Sequence, residues 1–398
     1  MKISSKKFNN LSIGEKLLFL NNNNILNDQQ VSELSNPISF HSLSKVSENV
    51  VGRFTLPFSI APNIIIDNAP YNIPLVTEES SVVAAICKAS KFWNTHGGIR
   101  TKVHNSLKTG SIYFTSNTPL DELRNLIDKF CCDVDVPLKQ KIHKMISRGG
   151  HAKYTGLGNV TSGPVIYKLN YEFDTQDCMG ANFINTTLEF LSSELLEFSG
   201  SQNIGIDILM SIVSNNNPSA LVSATASCPI TALGALDDTY DSSRLAQRLC
   251  SAVKLSLFDK DRAVTHNKGI MNGIDAFLTA CGNDTRASNA SVHAYASTGG
   301  NYKGLSGYSI NESDELTINL KLPLTPGVIG GITKYHKTAS LAIDILNNPS
   351  AKKMMGIGAS VGLLSNFSAL LSLVTEGIQK GHMALHHAKA NNIEPILT

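Results

Sequence analysis

The spacing of apolar and polar residues predicts strands and helices along most of the chain. Apolar residues alternate or cluster over residues 50–66, a polar turn follows at 67–71, and a second apolar run comes next, which is the pattern of paired strands. Apolar positions then recur at helical spacing over residues 80–93. The first forty residues, with an asparagine tract at 21–24, predict a helix followed by a flexible turn.

The middle of the chain predicts a separate α+β module. Helical spacing is present over residues 120–131 and 138–146, and strands are indicated over residues 163–175. Another helix follows Asp177, which we expect to be its N-cap, and runs toward Phe198. The segment spans about a hundred residues, which is normal for a domain.

Further elements follow this module. An amphipathic helix is predicted around residues 245–253, two strands around 311–324, and helices over 337–346 and 358–376. The last helix is very apolar, but one asparagine and four serines interrupt residues 358–374. This favours a buried helix over a membrane span.

Composition indicates a soluble, cytoplasmic protein of two or three domains. The chain has 398 residues, of which 42% are hydrophobic and 17% charged. A net charge of +2 with dispersed basic residues gives no reason to expect a nucleic-acid partner. The seven cysteines are scattered, without a CxxC pair, which is typical of reduced thiols. No long apolar run of a signal peptide follows the basic N-terminus, and we expect no membrane partner.

Residues 262–286 concentrate charged side chains within an apolar segment, where burying a charge is costly unless it is paired or used. We expect Lys268 to pair with Asp284. A lysine beside a carboxylate keeps its charge and can stabilise a developing oxyanion. A structural ion pair is the alternative interpretation, and spacing alone does not show that the two residues meet.

Five ordered sequence blocks carry a family resemblance. The run HNKGIMNGID, followed by GNDTRA, resembles the signature of 3-hydroxy-3-methylglutaryl-CoA (HMG-CoA) reductase, in the soluble class of bacteria and archaea. Similar blocks stand at residues 48–57, 78–85, 177–182 and 377–386. Ordered blocks over nearly the whole chain are a far more specific signal than one block.

The resemblance implies an α+β fold with three parts. These are a large mixed α/β domain that binds HMG-CoA, an inserted small domain of ferredoxin-like, non-Rossmann type that binds NAD(P), and a C-terminal helical flap. We expect the large domain at 1–105 and 210–376, the small domain at 106–209 and the flap at 377–398. Relatives continue further, whereas this chain ends sixteen residues after His382, so a shortened flap is expected.

The implied reaction is the two-hydride reduction of HMG-CoA to mevalonate and CoA, or its reverse. Lys268 matches the lysine that stabilises the oxyanion, and Asp284 matches the aspartate that holds this lysine. Glu79 matches the glutamate that donates a proton, although Glu78 is adjacent and only the resemblance chooses between them. His382 matches the histidine that protonates the departing CoA thiolate.

Four residues match substrate contacts of the family. Arg262 is expected to pair with the carboxylate of the HMG group, since a guanidinium can make two parallel hydrogen bonds to it. Ser81 and Asn272 are expected to line the same pocket, and Asn366 matches an asparagine near it. Each of these residues could instead be a helix cap or a satisfied core polar group.

The nucleotide site is expected at the helix that follows Asp177. No GxGxxG fingerprint follows a strand. Instead Asp177, Met179, Gly180 and Asn182 open a helix whose free amides can bind a pyrophosphate.

Cofactor choice depends on a basic cluster in KIHKMISRGG, which comprises Lys141, His143, Lys144 and Arg148. It could receive a 2′-phosphate, which favours NADPH while NADH stays possible. A solvated basic helix face is the alternative. The HxxxH spacing of His382 and His386 has no evident third ligand, so no metal is expected.

The family forms homodimers or larger homo-oligomers whose sites draw on two subunits. Its small-molecule partners are HMG-CoA, mevalonate and CoA. Two other functions stay open from the residues alone. One is a lyase or acyltransferase that uses Lys268 on CoA thioesters, and the other is an inactive relative of the reductases.

Overall fold

The computed structural model describes residues 8, 11–35, 47–51, 54–160 and 165–377. Within these ranges the structure is a mixture of helices and strands. Two 3-10 helices lie at Ile230–Ala235 and Gly331–Lys334. The α-helices are α1 (Ile13–Asn22), α2 (Asp28–Ser35), α3 (Val82–Asn94), α4 (Leu120–Asp133), α5 (Asp135–Lys141), α6 (His143–Ile146), α7 (Ala181–Ser201), α8 (Ser242–Phe258), α9 (Lys260–Ala280), α10 (Thr285–Ala296), α11 (Lys337–Ile345) and α12 (Ala351–Val374).

The strands of the described residues pair antiparallel in three sheets, with the orders β1-β2, β3-β8-β10-β9 and β5-β6-β4-β7. Non-consecutive neighbours in the two larger sheets show that both are completed by chain segments far apart in sequence. The strands are β1 (Phe58–Ile66), β2 (Ala69–Val76), β3 (Arg100–Val103), β4 (Lys108–Thr115), β5 (His151–Asn159), β6 (Ile166–Asp174), β7 (Asp207–Val213), β8 (Leu221–Pro229), β9 (Ser306–Ile310) and β10 (Glu315–Pro323).

The larger hydrophobic core surrounds α12. Strands β8 and β10 direct alternate apolar residues toward this helix, and α3, α8 and α9 contribute further core residues. Phe367 of α12 is fully buried and meets Trp93 edge to face, with 5.1 Å between ring centroids. Burying such a side chain contributes about 1.5–3 kcal/mol. The core therefore fixes α3 and α9 against one central helix.

A second core belongs to the sheet β5-β6-β4-β7. Residues of β4 and β6 pack against α4, α5 and α7 and form a cluster separate from the first one. The described residues also form a small third cluster around Leu20 and Leu341, so the number of cores does not by itself define the domains. The division into a large discontinuous domain and an inserted small one stays a prediction. The boundaries at 105/106 and 209/210 stay predictions.

Helix α12 is buried, as its sequence predicts. Among the described residues it is the helix long and apolar enough to cross a membrane, and 83% of its most apolar window lies inside the protein. Apolar residues occur on every face because the helix is surrounded by other elements. It begins at Ala351, before the predicted start, since the Ser350 hydroxyl accepts a bond from the amide of Lys353 and caps the helix.

The predicted N-cap role of Asp177 is wrong for the helix that follows it. Helix α7 begins at Ala181 with Gly180 as N-cap, in a left-handed conformation with φ of 89°. The Asp177 carboxylate instead accepts a bond of 2.7 Å from the amide of Ala351, in the first turn of α12. The chain just before α7 is thereby tied to the central helix of the larger core.

Candidate functional site

The centre of the candidate site is an ion pair between Lys268 and Glu79. Lys268 Nζ lies 2.7 Å from Glu79 Oε2. Asn272, one turn further along α9, donates from Nδ2 to Glu79 Oε1 at 3.3 Å. Glu79 belongs to the turn between β2 and α3, where its amide donates to the Thr77 hydroxyl at 3.1 Å. Both carboxylate oxygens of Glu79 are therefore directed toward one face of α9.

This face of α9 forms the floor of a cleft of about 310 Å³. Glu78 also lines the cleft, but it is Glu79 that bonds Lys268. The structure thus separates two adjacent glutamates that the residues alone could not separate. The lining residues are Leu56, Val76, Thr77, Glu78, Glu79, Lys268, Met271, Asn272, Asp275, Ala276, Thr279, Asn289 and His293.

Asp275, Asn289 and His293 are cleft residues that the sequence did not single out. Asn289 Nδ2 donates to Asp275 Oδ1 at 2.8 Å, and burial raises the pKa of Asp275 while this bond opposes the shift. His293 Nδ1 lies 2.7 Å from the Tyr302 hydroxyl, and burial lowers its pKa. The available signal was helical spacing, because Asp275 stands seven residues after Lys268, on the same face.

The expected pair of Lys268 with Asp284 is not formed within this chain. Asp284 accepts a bond from the amide of Ala287 at 3.1 Å as the N-cap of α10, and its ion-pair partner is Arg286 at 3.5 Å. The reason is the length of α9. Helical rise places the end of this helix, Ala280, roughly 18 Å beyond Lys268.

Arg262 lies at the beginning of the same helix. Its amide donates to the Asp259 carboxylate at 2.8 Å, and its side chain is half-buried. Burial lowers the pKa of its guanidinium, while Asp259 opposes this shift. Six residues separate Arg262 from Lys268, or roughly 9 Å along the helix. Six residues at 3.6 per turn also turn Arg262 about 120° around the helix from Lys268, and Arg262 is not among the described residues that line the cleft.

Asn366 lies in a buried network and not in the cleft. Its Oδ1 accepts a bond of 2.9 Å from the Ser306 hydroxyl, and its Nδ2 lies 3.4 Å from His266 Nε2. Burial, reinforced by the charge of Arg262, lowers the pKa of His266 to about 4. Asn366 is thus a hydrogen-bonded polar group of the core in this structure, and its match to an asparagine near the family's active site stays a prediction.

Ser81 occupies an unusual backbone conformation next to Glu79. Its φ of 75° is left-handed, and it is the N-cap residue of α3 without a capping bond from its side chain. Its hydroxyl bonds the carbonyl of Ser80. A non-glycine residue in this region stores backbone strain, which is frequent where function dictates the conformation.

The segment 175–182 combines tight packing with an open helix N-terminus. A Cβ on Gly180 would lie 2.5 Å from Thr175 Cγ2, so that a larger residue could not make this turn without a shift. Helix α7 then begins, and no side-chain cap bonds its first amides. Met179 is half-buried and Asn182 is exposed. Such a terminus suits an anionic diphosphate.

The basic cluster lies beside this segment, on α5, α6 and the residues that follow. All four of its members are exposed, and Lys141 Nζ lies 5.5 Å from the Phe190 ring of α7. His143 Nδ1 bonds the carbonyl of Gln140 at 2.9 Å. The turn after Arg148 touches the segment directly, since Gln176 Nε2 donates to the Gly149 carbonyl at 3.0 Å.

His382 lies outside the described residues, as do residues 378–398 of the expected flap. Among the residues that the structure describes, no group of three or more His, Cys, Asp or Glu side chains is arranged to hold a metal ion. The polar groups that line the cleft are three carboxylates, one lysine, two amides, two threonine hydroxyls and one histidine.

Comparison with known proteins identifies the relatives of the chain. The sequence model of the hydroxymethylglutaryl-coenzyme A reductase family matches residues 12–387. The 3-hydroxy-3-methylglutaryl-coenzyme A reductase of Archaeoglobus fulgidus is 33% identical over 382 residues, covering 95% of this chain and 84% of that protein. A probable 3-hydroxy-3-methylglutaryl-coenzyme A reductase of Borreliella burgdorferi is 34% identical, covering 86% of this chain and 77% of the relative.

A solved structure extends the likeness to three dimensions. The class II 3-hydroxy-3-methylglutaryl-CoA reductase of Streptococcus pneumoniae, bound to NADPH in open conformations, superimposes with a TM-score of 0.87 at 34% identity. The match covers 94% of this chain and 100% of that one. The resemblance drawn from sequence blocks and the mixed α/β fold are both confirmed.

Proposed function

The chain belongs to the hydroxymethylglutaryl-CoA reductase family of NAD(P)H-dependent oxidoreductases, and on that premise we propose how its residues divide the reaction. HMG-CoA and two reduced nicotinamides yield mevalonate, CoA and two oxidised nicotinamides, with two protons consumed. The observation that carries the proposal is the Glu79–Lys268 pair in the cleft. Both members occupy positions that match the catalytic residues of the family.

Lys268 and Glu79 act on the oxygen of the reacting carbonyl. The ammonium of Lys268 stabilises the negative charge that develops on this oxygen in each reduction. Glu79, 2.7 Å from that ammonium, is proposed to supply the proton that the alkoxide takes up, after its carboxylate has itself taken up a proton from solvent. Asn272 holds the second oxygen of Glu79 and keeps the carboxyl group oriented. Arg262 matches the arginine of the family that binds the carboxylate of the HMG group, and we propose the same role for it here.

The N-terminus of α7 is proposed to hold the nicotinamide cofactor. Its open amides and the close approach at Gly180 fit a diphosphate, with Met179 and Asn182 alongside. When bound there, the reduced cofactor supplies the hydride. Asp177 is proposed to contribute to cofactor binding indirectly, because its carboxylate bonds the amide of Ala351 and so fixes the segment to α12.

His382 is proposed to protonate the CoA thiolate when it leaves. His382→Gln should slow the reduction of HMG-CoA and spare the reduction of free mevaldehyde, since mevaldehyde carries no thiolate. Comparing kcat on the two substrates tests this role. An equal loss on both substrates would contradict it.

Asp284 is proposed to act on the lysine of a second copy of the chain. Its distance from Lys268 along α9 leaves no direct contact within one protomer, and about a third of its side chain is exposed. A homodimer with sites shared between subunits would supply the missing partner.

NADPH is proposed as the preferred cofactor, with NADH also accepted. The basic cluster supports this, and within it Arg148 directly precedes Gly149, whose carbonyl accepts a bond from Gln176 of the segment 175–182. Lys141 packs on Phe190, nine residues into α7 and roughly 13 Å from its beginning. Lys141→Asp and Arg148→Asp, each assayed with NADPH and NADH, separate the two positions. If both variants keep the wild-type preference between NADPH and NADH, the basic cluster does not determine cofactor choice.

Oxidation of NADPH that depends on HMG-CoA, followed by loss of absorbance at 340 nm, is the direct test of the activity. Mevalonate is identified as the product in the same assay. If both nicotinamides stay unoxidised in the presence of HMG-CoA, the reductase assignment is lost. Borohydride trapping of a Schiff base between Lys268 and a ketone carbonyl in the acyl group of a CoA thioester, formed with loss of water, would then favour a lyase or acyltransferase that uses this lysine.

We also propose that the enzyme is cytoplasmic and needs neither a membrane nor a metal. It is supported by the burial of α12 and by the cysteines of the described residues, all of which are free thiols. Activity that persists after treatment with a chelator would support the assignment of a metal-free reaction.

A further inference from the structure

Lys108 is a buried lysine beneath the segment 175–182. It begins β4, and only 5% of the residue is exposed. Its ammonium donates to the Thr175 hydroxyl and, at 2.7 Å, to the carbonyl of Cys178. Burying an ammonium group is costly unless hydrogen bonds and nearby opposite charge compensate for it. At this position it bonds the chain just before α7 begins.

Lys108, Thr175 and Gly180 form one tightly packed unit. Thr175 is 1% exposed, and its hydroxyl also donates to the Cys178 carbonyl at 2.7 Å. A Cβ on Gly180 would approach the same hydroxyl to 2.9 Å. The ammonium therefore holds Thr175 and Cys178, and Thr175 in turn limits where Gly180 and the first amides of α7 can lie.

The surroundings of Lys108 shift the pKa of its ammonium toward neutral pH. Burial lowers its pKa to about 8, while Cys178, Asp174 and Asp177 act in the opposite direction. The carboxylate of Asp177 already accepts a bond from Ala351, and that of Asp174 accepts one from the amide of Gln176 at 2.9 Å. The ammonium is thus charged below pH 8 and increasingly neutral above it.

We infer that Lys108 is a positioning residue for the nicotinamide cofactor, which fixes the segment 175–182 and adds positive charge beneath the amides that receive the diphosphate. This inference rests on the proposed cofactor site at α7. The role is indirect, because Lys108 is covered by the segment that it holds. Loss of this side chain should therefore change both the position of the segment and the charge beneath it.

The geometric consequence is tested with Lys108→Met, which keeps most of the apolar stem and removes the donors. We expect the Kd for NADPH, measured by the fluorescence of the bound nicotinamide, to rise roughly tenfold or more. The KM for HMG-CoA should change little. Lys108→Gln, which keeps a donor without the charge, should fall between wild type and Lys108→Met. Lys168→Met is the matched control, a lysine of the same sheet that lies over Tyr113.

The charge consequence is tested by the pH dependence of NADH binding, because NADH lacks a 2′-phosphate that would itself titrate. The Kd of the wild-type enzyme should rise as pH increases through 8, since the ammonium loses its charge there. Lys108→Met should remove this rise. The comparison is repeated with Cys178→Ser, because Cys178 also interacts electrostatically with Lys108.

Unchanged cofactor affinity in folded Lys108→Met would overturn the inference, and so would an equal loss of affinity for HMG-CoA. If that variant does not fold, a flat pH profile of the wild-type enzyme overturns it. A wild-type chain without any HMG-CoA-dependent oxidation of nicotinamide is a different result, because it rejects the proposed function and not only the role of Lys108.

Discussion

At the scale of single residues, the site depends on how charges are compensated. Lys268 and Glu79 are both partly exposed, with 60% and 39% of their side chains accessible. An exposed ion pair contributes little to stability. The pair lies in a cleft, with Asn272 holding the second carboxylate oxygen, and this is the position that we expect for the catalytic role proposed above.

Lys268→Ala should lower kcat by roughly 10²–10³-fold or more, because the oxyanion loses its charged donor. HMG-CoA binding should survive in part, since Arg262 and Asn272 remain. Steady-state kinetics and a direct binding titration measure the two effects separately. Lys254→Ala, an exposed lysine of α8, serves as the control. Full turnover in Lys268→Ala would remove the lysine from the mechanism.

His266 should make the protein less stable in acid. Its pKa in the folded chain is about 4, below that of an unfolded histidine, so the unfolded state binds the proton more readily. The stability that neutral His266 permits is therefore present above pH 6.5 and lost as pH falls toward 4. Between pH 6.5 and 5 the loss should be about 2 kcal/mol.

Urea unfolding at several pH values measures this loss. His266→Gln should flatten the pH dependence in that window. His151→Gln, at an exposed histidine of β5, should leave it unchanged. If the wild-type and His266→Gln profiles run parallel, His266 is not the group responsible.

At the scale of elements, helix α9 sets the geometry of the cleft, and the N-terminus of α7 sets that of the proposed cofactor site at residues 175–182. Lys268, Asn272 and Asp275 reach one cleft because helical spacing puts them on one face. Gly180 is needed because its φ of 89° and its contact with Thr175 exclude a side chain.

Gly180→Ala should destabilise the fold by about 1–3 kcal/mol and weaken cofactor binding, because α7 cannot begin in the same place. Gly200→Ala is the matched control in the same helix. A Cβ at Gly200 would meet nothing within 4 Å, so this variant should be neutral or more stable. Equal thermal stability and cofactor affinity in the two variants would show that the turn at Gly180 is not constrained.

At the scale of the whole molecule, the distance between Lys268 and Asp284 predicts that two chains share each site. Inactive Lys268→Ala and Asp284→Ala chains, unfolded and refolded together, should then regain activity. In a mixed dimer one site contains both mutations and the other contains neither. About a quarter of wild-type activity is expected if subunits pair at random. No recovery, in dimers shown to be mixed, would place both residues of a site on one chain.

The sequence by itself determined the main elements, the fold class and the family. Helices and strands leave periods of 3.6 and 2 in the sequence, and the motif residues stand close together within each block. Helix α4, the pair β1-β2 and the burial of α12 are confirmed for this reason. The candidate residues within 262–286 were also found from the local sequence, as charged side chains in an apolar segment.

Only the tertiary structure decided which of these residues meet. Glu79 and Lys268 are 189 residues apart, Asp177 and Ala351 are 174 apart, and Lys108 and Cys178 are 70 apart. Tertiary packing decides three features of the site: the partner of Lys268, the cap of α7 and the buried ammonium beneath residues 175–182. Local spacing carries no information on such contacts, because they form only when distant segments are brought together by burial of apolar surface.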